Sequence, residues 1–184
     1  MAFLSTRPRG KLTYEHYVLF PEDGNQHEII NGRHYMNAAP NPRHQTVSRL
    51  IQFQLMEQIE IPNLGQVFDA PIDLQFDDFN VVQPDIVVVM KSNRIVTPTK
   101  IKGVPELVVE IISPSTRERD QQLKRELYEQ NRVPEFWIVD ADNQLLSCYR
   151  LSIEGTYAQP TEHSDEVCIA LGNVTARIDL RKVW

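Results

Sequence analysis

The hydrophobic pattern is strongest in two short runs rich in β-branched residues, Val81–Val89 and Glu106–Ile112. Runs of this length and composition predict strands that are buried on both faces. Each run contains one carboxylate at an otherwise apolar place, Asp85 in the first and Glu110 in the second. Since an isolated buried charge costs several kcal/mol, each acid needs a charged partner or a metal ion.

The rest of the chain shows both helical and strand periodicities. Apolar residues at helical spacing over 42–60 predict an amphipathic helix that lies on the sheet. The pair Asn31-Gly32 predicts a hairpin turn within residues 26–36. Other predicted elements are helices over 13–20 and 117–132, strands over 66–76, 85–90, 106–112, 136–140 and 145–151, and short strands near 167–171 and 176–180.

Length and element order predict the fold class. The 184 residues are most simply one domain, residues 1–184, with a core that needs no disulfides. The polar segment 77–80 and the basic segment 91–105 are predicted to be a turn and a loop. The elements together predict an α/β fold in which helices flank a mixed β-sheet and β-hairpins are added.

Charge and cysteine content limit the possible partners. A formal net charge of −6 argues against a non-specific coat on nucleic acid, although it allows a local basic groove. Cys148 and Cys168 are predicted to be buried free thiols. No apolar run approaches the roughly 18 residues of a membrane span, and the N-terminus shows no secretion signal. We therefore expect a cytoplasmic protein with no membrane partner.

Two buried acids followed by a lysine are typical of a hydrolytic metal site. Carboxylates at neighbouring strand ends can share one Mg²⁺, whose other ligands are waters and phosphate oxygens. The ion would polarise a phosphate and lower the pKa of a bound water. The ammonium group of Lys124, on the following helix, would stabilise developing negative charge. The five histidines lack metal-ligand spacing, which argues against zinc, and His27 and His34 are expected at the hairpin surface.

Longer stretches of sequence carry a family resemblance. Pro84-Asp85 with Glu110 resembles the acidic pattern of the PD-(D/E)XK superfamily, which has the restriction-endonuclease-like fold. The chain is similar, more closely, to the Uma-two family of endonuclease-like proteins. The matching phrases, spread over roughly residues 13–151, are HEIINGRHYM, the P-x-x-x-H pattern of Pro40–His44, VFDAPIDLQFDD, VVQPDIVVV, PELVVEIISPSTRERD and KRELYEQNRVPEFWIVD. The resemblance implies a restriction-endonuclease-like core.

The resemblance also implies residue roles. Asp85 and Glu110 match the two metal-binding acids, and the backbone carbonyl of Ile111 matches a frequent third ligand. The superfamily's lysine, two residues after the second acid, is replaced here by Ile112. Lys124 is then the substitute, as in members whose lysine has moved to the next helix.

Other residues are expected around this centre. Glu28 resembles an additional N-terminal acid, and it should point to the same face of its strand as Ile30. Candidate substrate-binding or supporting residues are His44, Gln83, Tyr128, Lys100 and Lys102.

Structural explanations stay open for the same residues. Asp85 could cap backbone donors in a turn after proline. Lys124 could pair with Asp120, which lies one helical turn earlier, and Glu28 could face solvent.

The sequence thus predicts a Mg²⁺-dependent endonuclease, with Mn²⁺ as a possible substitute, that hydrolyses phosphodiester bonds in DNA. RNA stays open as a substrate, and a homodimer is expected because duplex DNA has two strands. The alternative is a catalytically inactive nuclease fold that serves as a nucleic-acid-binding or protein-interaction module. Ile112 in the usual lysine position motivates that alternative.

Overall fold

The computed structural model describes residues 10–37, 40–112 and 119–184, with only the backbone described for 119–121. Its helices are α1 (Tyr14–Tyr17), α2 (Pro42–Leu55) and α3 (Arg125–Gln130), with π-helical turns at Met56–Glu60 and Arg119–Lys124 and a 3₁₀ turn at Leu180–Lys182. Its strands are β1 (Gln26–Ile30), β2 (Arg33–Asn37), β3 (Gly65–Asp69), β4 (Leu74–Asp77), β5 (Asn80–Val82), β6 (Ile86–Met90), β7 (Ile101–Lys102), β8 (Leu107–Ile112), β9 (Glu135–Asp140), β10 (Leu145–Arg150), β11 (Thr161–His163), β12 (Glu166–Leu171) and β13 (Val174–Asp179).

The central element is a six-stranded mixed sheet with the strand order β11-β10-β9-β8-β6-β3. Its strands pair antiparallel except for β8 and β9, which run parallel. Every residue of β6 and β8 is buried. The prediction of strands buried on both faces is therefore confirmed for β8 and for the β6 part of the first run. Val81 and Val82 of that run lie instead in β5, a strand of another sheet. The α/β class with a mixed sheet and flanking helices is confirmed.

A second sheet of five strands has the order β2-β1-β5-β4-β7. The predicted hairpin over 26–36 is confirmed as β1 and β2, and both Asn31 and Gly32 have positive φ. The single strand predicted over 66–76 is wrong, because β3 and β4 belong to different sheets. Pro71 lies between them, and proline cannot donate a hydrogen bond to a sheet ladder. The predicted turn over 77–80 and loop over 91–105 also differ in part, since they include the start of β5 and all of β7.

Alternate residues of β6 and β8 pack into two separate cores. Val88 and Val109 face α2 and the C-terminal strands, and Val87 and Val108 face α3. Helix α2 begins after Asn41, whose side chain accepts a hydrogen bond from the backbone N–H of His44 at 2.9 Å. The six-stranded sheet thus separates one core, beneath α2, from a second core that contains the acidic cluster described below.

Several local predictions differ from the structure. The helix predicted over 13–20 is the four-residue α1, and the helix over 42–60 ends in a π-helical turn. The start of the helix predicted over 117–132 lies outside the described residues. Cys148 is a buried free thiol as predicted, but Cys168 is exposed because it lies on the outer face of β12. Within the described ranges, no helix is long and apolar enough to cross a membrane.

Candidate active site

Asp85 and Glu110 lie at adjacent ends of two paired strands. Strands β6 and β8 pair with Ile86 opposite Val109, so Asp85 and Glu110 are one position further along the same register. The backbone N–H of Ile111 donates to Oδ2 of Asp85 at 2.7 Å. The side chain of Asp85 is thus held by the residue that follows Glu110, although the two acids are 25 positions apart in the sequence.

Glu110 is buried and paired on the α3 side of the sheet. Its side chain is only 5% exposed. Its Oε1 lies 2.8 Å from Nζ of Lys124 and accepts a hydrogen bond from the Tyr128 hydroxyl at 2.6 Å. Lys124 and Tyr128 are four residues apart and so lie on one face of the helical segment. The structure thus brings the predicted substitute lysine to the predicted acid.

Glu28 is the second acid on the same lysine. It is fully buried, and its Oε1 lies 3.0 Å from Nζ of Lys124. The same carboxylate accepts hydrogen bonds from the backbone N–H of Gln83 at 2.9 Å and from Nδ2 of Asn37 at 3.1 Å. The solvent-facing alternative for Glu28 is therefore wrong, and Ile30 lies in the same α3-side core as predicted.

One buried ammonium between two buried carboxylates leaves a formal charge of −1 in this cluster. The Lys124 side chain is 2% exposed. Burial of this kind is tolerated only when hydrogen bonds compensate the lost hydration, as the donors from Tyr128, Asn37 and Gln83 do here. The pair expected between Lys124 and Asp120 lies outside the described side chains.

Asp85 also contacts the helix on the other side of the sheet. Its Oδ2 lies 3.1 Å from Nε2 of His44, in the first turn of α2. The two side chains are 13% and 12% exposed, and both line an open cleft of about 790 Å³ between α2 and the start of β1. Asp85 thus connects the buried cluster to a solvent-filled cleft.

Gln83 links this centre to a polar network that the sequence did not reveal. Its side-chain amide donates to Oδ1 of Asp73 at 2.9 Å and to the Tyr17 hydroxyl at 3.1 Å. Tyr17 in turn donates to Asp73 at 2.5 Å. Burial, and then the hydrogen bond to Asp73, raise the pKa of Tyr17 well above its ordinary value, so the phenol stays neutral. Asn37, Tyr17 and Asp73 were not predicted from the sequence as site residues. Only Asn37 could have been found, because it alternates with Tyr35 in β2 and so lies on the same face of that strand.

The two predicted loop lysines lie elsewhere. Nζ of Lys100 lies 3.3 Å from the centroid of the Tyr14 ring, and Lys102 is exposed on the short edge strand β7. Within residues 10–37, 40–112 and 119–184, no ion pair joins either lysine to Asp85 or Glu110. Ile112 is buried in the α3-side core and contributes no charge.

The donor set limits which metal the site could bind. Among the side chains that the structure describes, no group of three or more His, Cys, Asp or Glu is arranged to hold a metal ion. The available donors are Asp85, Glu110 and the carbonyl of Ile111. In the described part of the chain, Oδ1 of Asp85 accepts no hydrogen bond, since both of its bonds use Oδ2. Two carboxylates and a carbonyl fit Mg²⁺, which keeps several water ligands, better than they fit zinc.

Comparison with known proteins agrees with this architecture. The crystal structure of "a putative nuclease belonging to DUF820" from Anabaena variabilis ATCC 29413 has a TM-score of 0.76 to this chain. The two share 16% sequence identity, and the match covers 94% of this chain and 97% of that one, which shows a common fold. No curated protein matches the chain. The family model Uma2 (Uma-two), described as "Putative restriction endonuclease", matches residues 14–178. The chain therefore belongs to the Uma2 family, and family and fold together indicate a nuclease of the restriction-endonuclease-like type.

Proposed function

We propose that the protein is a Mg²⁺-dependent endonuclease that hydrolyses phosphodiester bonds in DNA, with Mn²⁺ as a functional substitute. The observation that carries the proposal is the burial of Lys124 between Glu110 and Glu28. Ile111, the residue after Glu110, donates the backbone hydrogen bond that Asp85 accepts. A core that needed only packing would not place three ionised side chains there, because apolar residues of similar volume are as stable or more stable.

Two groups of residues have different roles in the proposed reaction: one would bind the cation and the other would stabilise charge. Asp85 and Glu110 would hold the cation, with the carbonyl of Ile111 as a third protein ligand, since the N–H of Ile111 already points toward Asp85. A divalent cation bound there would polarise the scissile phosphate and lower the pKa of a water molecule. Lys124 would stabilise the negative charge that develops on the phosphate oxygens. Glu28 and Tyr128 would fix the positions of Lys124 and Glu110.

The compartment and the oligomeric state of the enzyme are part of the proposed function. We expect it to act in the cytoplasm as a homodimer, because cutting both strands of a duplex requires two active sites or two events. RNA is a second possible substrate, since the phosphodiester group is the same.

A second candidate function is DNA binding without cleavage by the same fold. Its support is that the ammonium of Lys124 already contacts two carboxylates, at 2.8 and 3.0 Å. A lysine held in this way could be purely structural.

Nicking of supercoiled plasmid tests the proposal. The wild-type protein should nick DNA in Mg²⁺ or Mn²⁺ and lose activity with a chelator, and Asp85→Ala and Glu110→Ala should each reduce the rate by about 100-fold or more. Gel-shift binding without any nicking would favour the second candidate. Nicking that survives both substitutions unchanged would overturn the assignment of the site.

A further inference from the structure

The cleft beside Asp85 has an unusual lining. One wall is a stripe of α2, formed by Gln45, Ser48, Arg49 and Gln52, whose spacing places them on one helix face. Asn25 and Gln26, at the start of β1, lie on the opposite side. The volume of about 790 Å³ is in the range of small-molecule sites, which is roughly 300–1,000 Å³. The two walls thus present several neutral polar side chains to the cleft.

The charges of the cleft do not suit a phosphate backbone. Besides Asp85, the proposed cation ligand, Glu22 and Asp69 line it, whereas Arg49 is its one permanently cationic side chain among the described residues. Phosphate groups are bound mainly by lysine and arginine, and unpaired carboxylates repel them. A neutral group of the substrate therefore fits this cleft better than a phosphate does.

Two amides on the α2 wall of the cleft differ from that of Gln83, which also lines the cleft but bonds Asp73 and Tyr17. Within the described ranges, the side chains of Gln45 and Gln52 make no hydrogen bond to the rest of the chain. Two other glutamines of the same helical segment behave differently. Gln54 bonds both backbone groups of Asp179, at 2.8 and 3.2 Å, and Gln58 bonds both of Arg177 at 2.8 Å. The helical glutamines that face the C-terminal strands therefore bond the backbone, whereas Gln45 and Gln52 on the cleft side do not.

Position specifies what the cleft could receive. Asp85 lines the cleft, so the cleft lies next to the proposed position of the substrate phosphate. A nucleoside attached to that phosphate is therefore within reach of the cleft. An amide offers one donor side and one acceptor side, which is the pattern that reads the edges of bases. Unstacked bases are recognised by such hydrogen bonds in pockets lined partly by apolar atoms, and Pro40 and Pro71 supply apolar surface here.

We propose that this cleft binds one unstacked nucleobase of the substrate strand, next to the phosphate held at Asp85, with Gln45 and Gln52 contacting its edge. The inference rests on the proposed nuclease function and deepens it, because it assigns a specificity site. It implies that the enzyme acts on single strands or on duplexes with a displaced base.

Abasic scanning of a single-stranded oligonucleotide tests the inference. Each position in turn loses its base but keeps its phosphate, and affinity is measured by fluorescence anisotropy in Ca²⁺, with the cleaved bond mapped separately in Mg²⁺. We expect loss of one base beside the cleaved bond to weaken binding by roughly tenfold, the size of one base contact. In Gln45→Ala/Gln52→Ala this position should become indistinguishable from its neighbours.

The matched control is Gln130→Ala, an exposed glutamine at the end of α3, outside the cleft. It should keep the wild-type abasic profile. A wild-type protein that binds and cleaves but shows no sensitive position overturns the nucleobase site and leaves the nuclease function standing. The same holds if the double variant keeps the sensitivity. Absence of both binding and cleavage on this oligonucleotide also overturns the nucleobase site, and it overturns the proposed function only if the wild-type protein also fails to nick supercoiled plasmid. The wild-type scan alone decides the question if the double variant does not fold.

Discussion

The ammonium nitrogen of Lys124 lies 2.8 Å from Oε1 of Glu110, although the two residues belong to different elements. Glu110 lies in the buried central strand β8, and Lys124 ends the helical turn that precedes α3. A lysine two residues after Glu110 would have lain on the same strand. The contact shows that a lysine on the following helix, which packs on one face of the sheet, reaches the same carboxylate.

Removal of Lys124 should destabilise the protein more than removal of Glu28. Lys124→Met leaves two buried carboxylates without their cation, and we expect a loss of about 3–5 kcal/mol of unfolding free energy. Glu28→Gln leaves one buried acid with one buried lysine, a neutral pair, and should cost less. Urea denaturation of both variants at pH 7 measures the difference.

The double variant Lys124→Met/Glu28→Gln is the control for this difference in stability between the two single variants. It buries only one unpaired acid, so it should be more stable than Lys124→Met alone. If the losses of stability in Lys124→Met and Glu28→Gln add up to the loss in the double variant, Glu28 and Lys124 do not interact energetically, despite their separation of 3.0 Å.

Loss of the Tyr128 hydroxyl should weaken both stability and activity. Tyr128→Phe keeps the ring, which packs 4.8 Å from that of Phe136, and removes the 2.6 Å hydrogen bond to Glu110. A bond to a charged group contributes about 1.5–3 kcal/mol, and we expect destabilisation in that range. The nicking rate should fall less than it does in Glu110→Ala. A variant as stable as the wild type would show that Glu110 does not depend on this donor.

His34 of the β1–β2 hairpin should decrease the stability of the protein as the pH falls from 7.5 to 5.5. His34 lies with Nε2 2.9 Å from Nδ1 of His27, under the Phe20 ring at a centroid distance of 4.4 Å. Partial burial, and then the charge of His27, lower the pKa of His34 from its ordinary 6.5, while Asp23 acts in the opposite direction. Because the unfolded chain then binds the proton more readily, stability is lost as the pH falls through about 6.5.

Urea midpoints at the two pH values measure this effect, with His34→Gln as the test variant. The difference between the midpoints should be smaller in the variant, and only modestly so, since His34 keeps much of its surface exposed. Staying above pH 5 keeps apart the contribution of Asp23, whose pKa lies below its ordinary value because the backbone N–H of Asn25 donates a hydrogen bond to it. An unchanged difference would exclude His34 as the source.

The sequence predicted the parts of the site that depend on strand alternation and on acids placed in apolar runs. Asp85 and Glu110 follow from such local patterns, whereas Glu28 follows from the family resemblance, and the sequence does not decide its direction. Lys124 and Tyr128 could be placed on one helix face, but their contact with Glu110 depends on how the helix packs, which no local pattern specifies.

The residues that sequence reasoning missed are held by tertiary contacts. Tyr17 and Asp73 meet across 56 positions of sequence numbering, and nothing in either segment marks the other. His27 was expected at the surface but is 8% exposed, because Asp23 and the rings of Phe20 and His34 cover it. The break between β3 and β4 was signalled by Pro71, yet the assignment of the two strands to different sheets depends on the whole fold.

The central claim is that Asp85 and Glu110 hold a divalent cation beside Lys124. Anomalous scattering from a crystal soaked in Mn²⁺ tests it most directly, because manganese is located independently of any model of the site. The account predicts one anomalous peak within coordination distance of a carboxylate oxygen of each acid, and its loss in Asp85→Asn. An ordered site with clear density for both acids and no peak between them, at millimolar Mn²⁺, would contradict it.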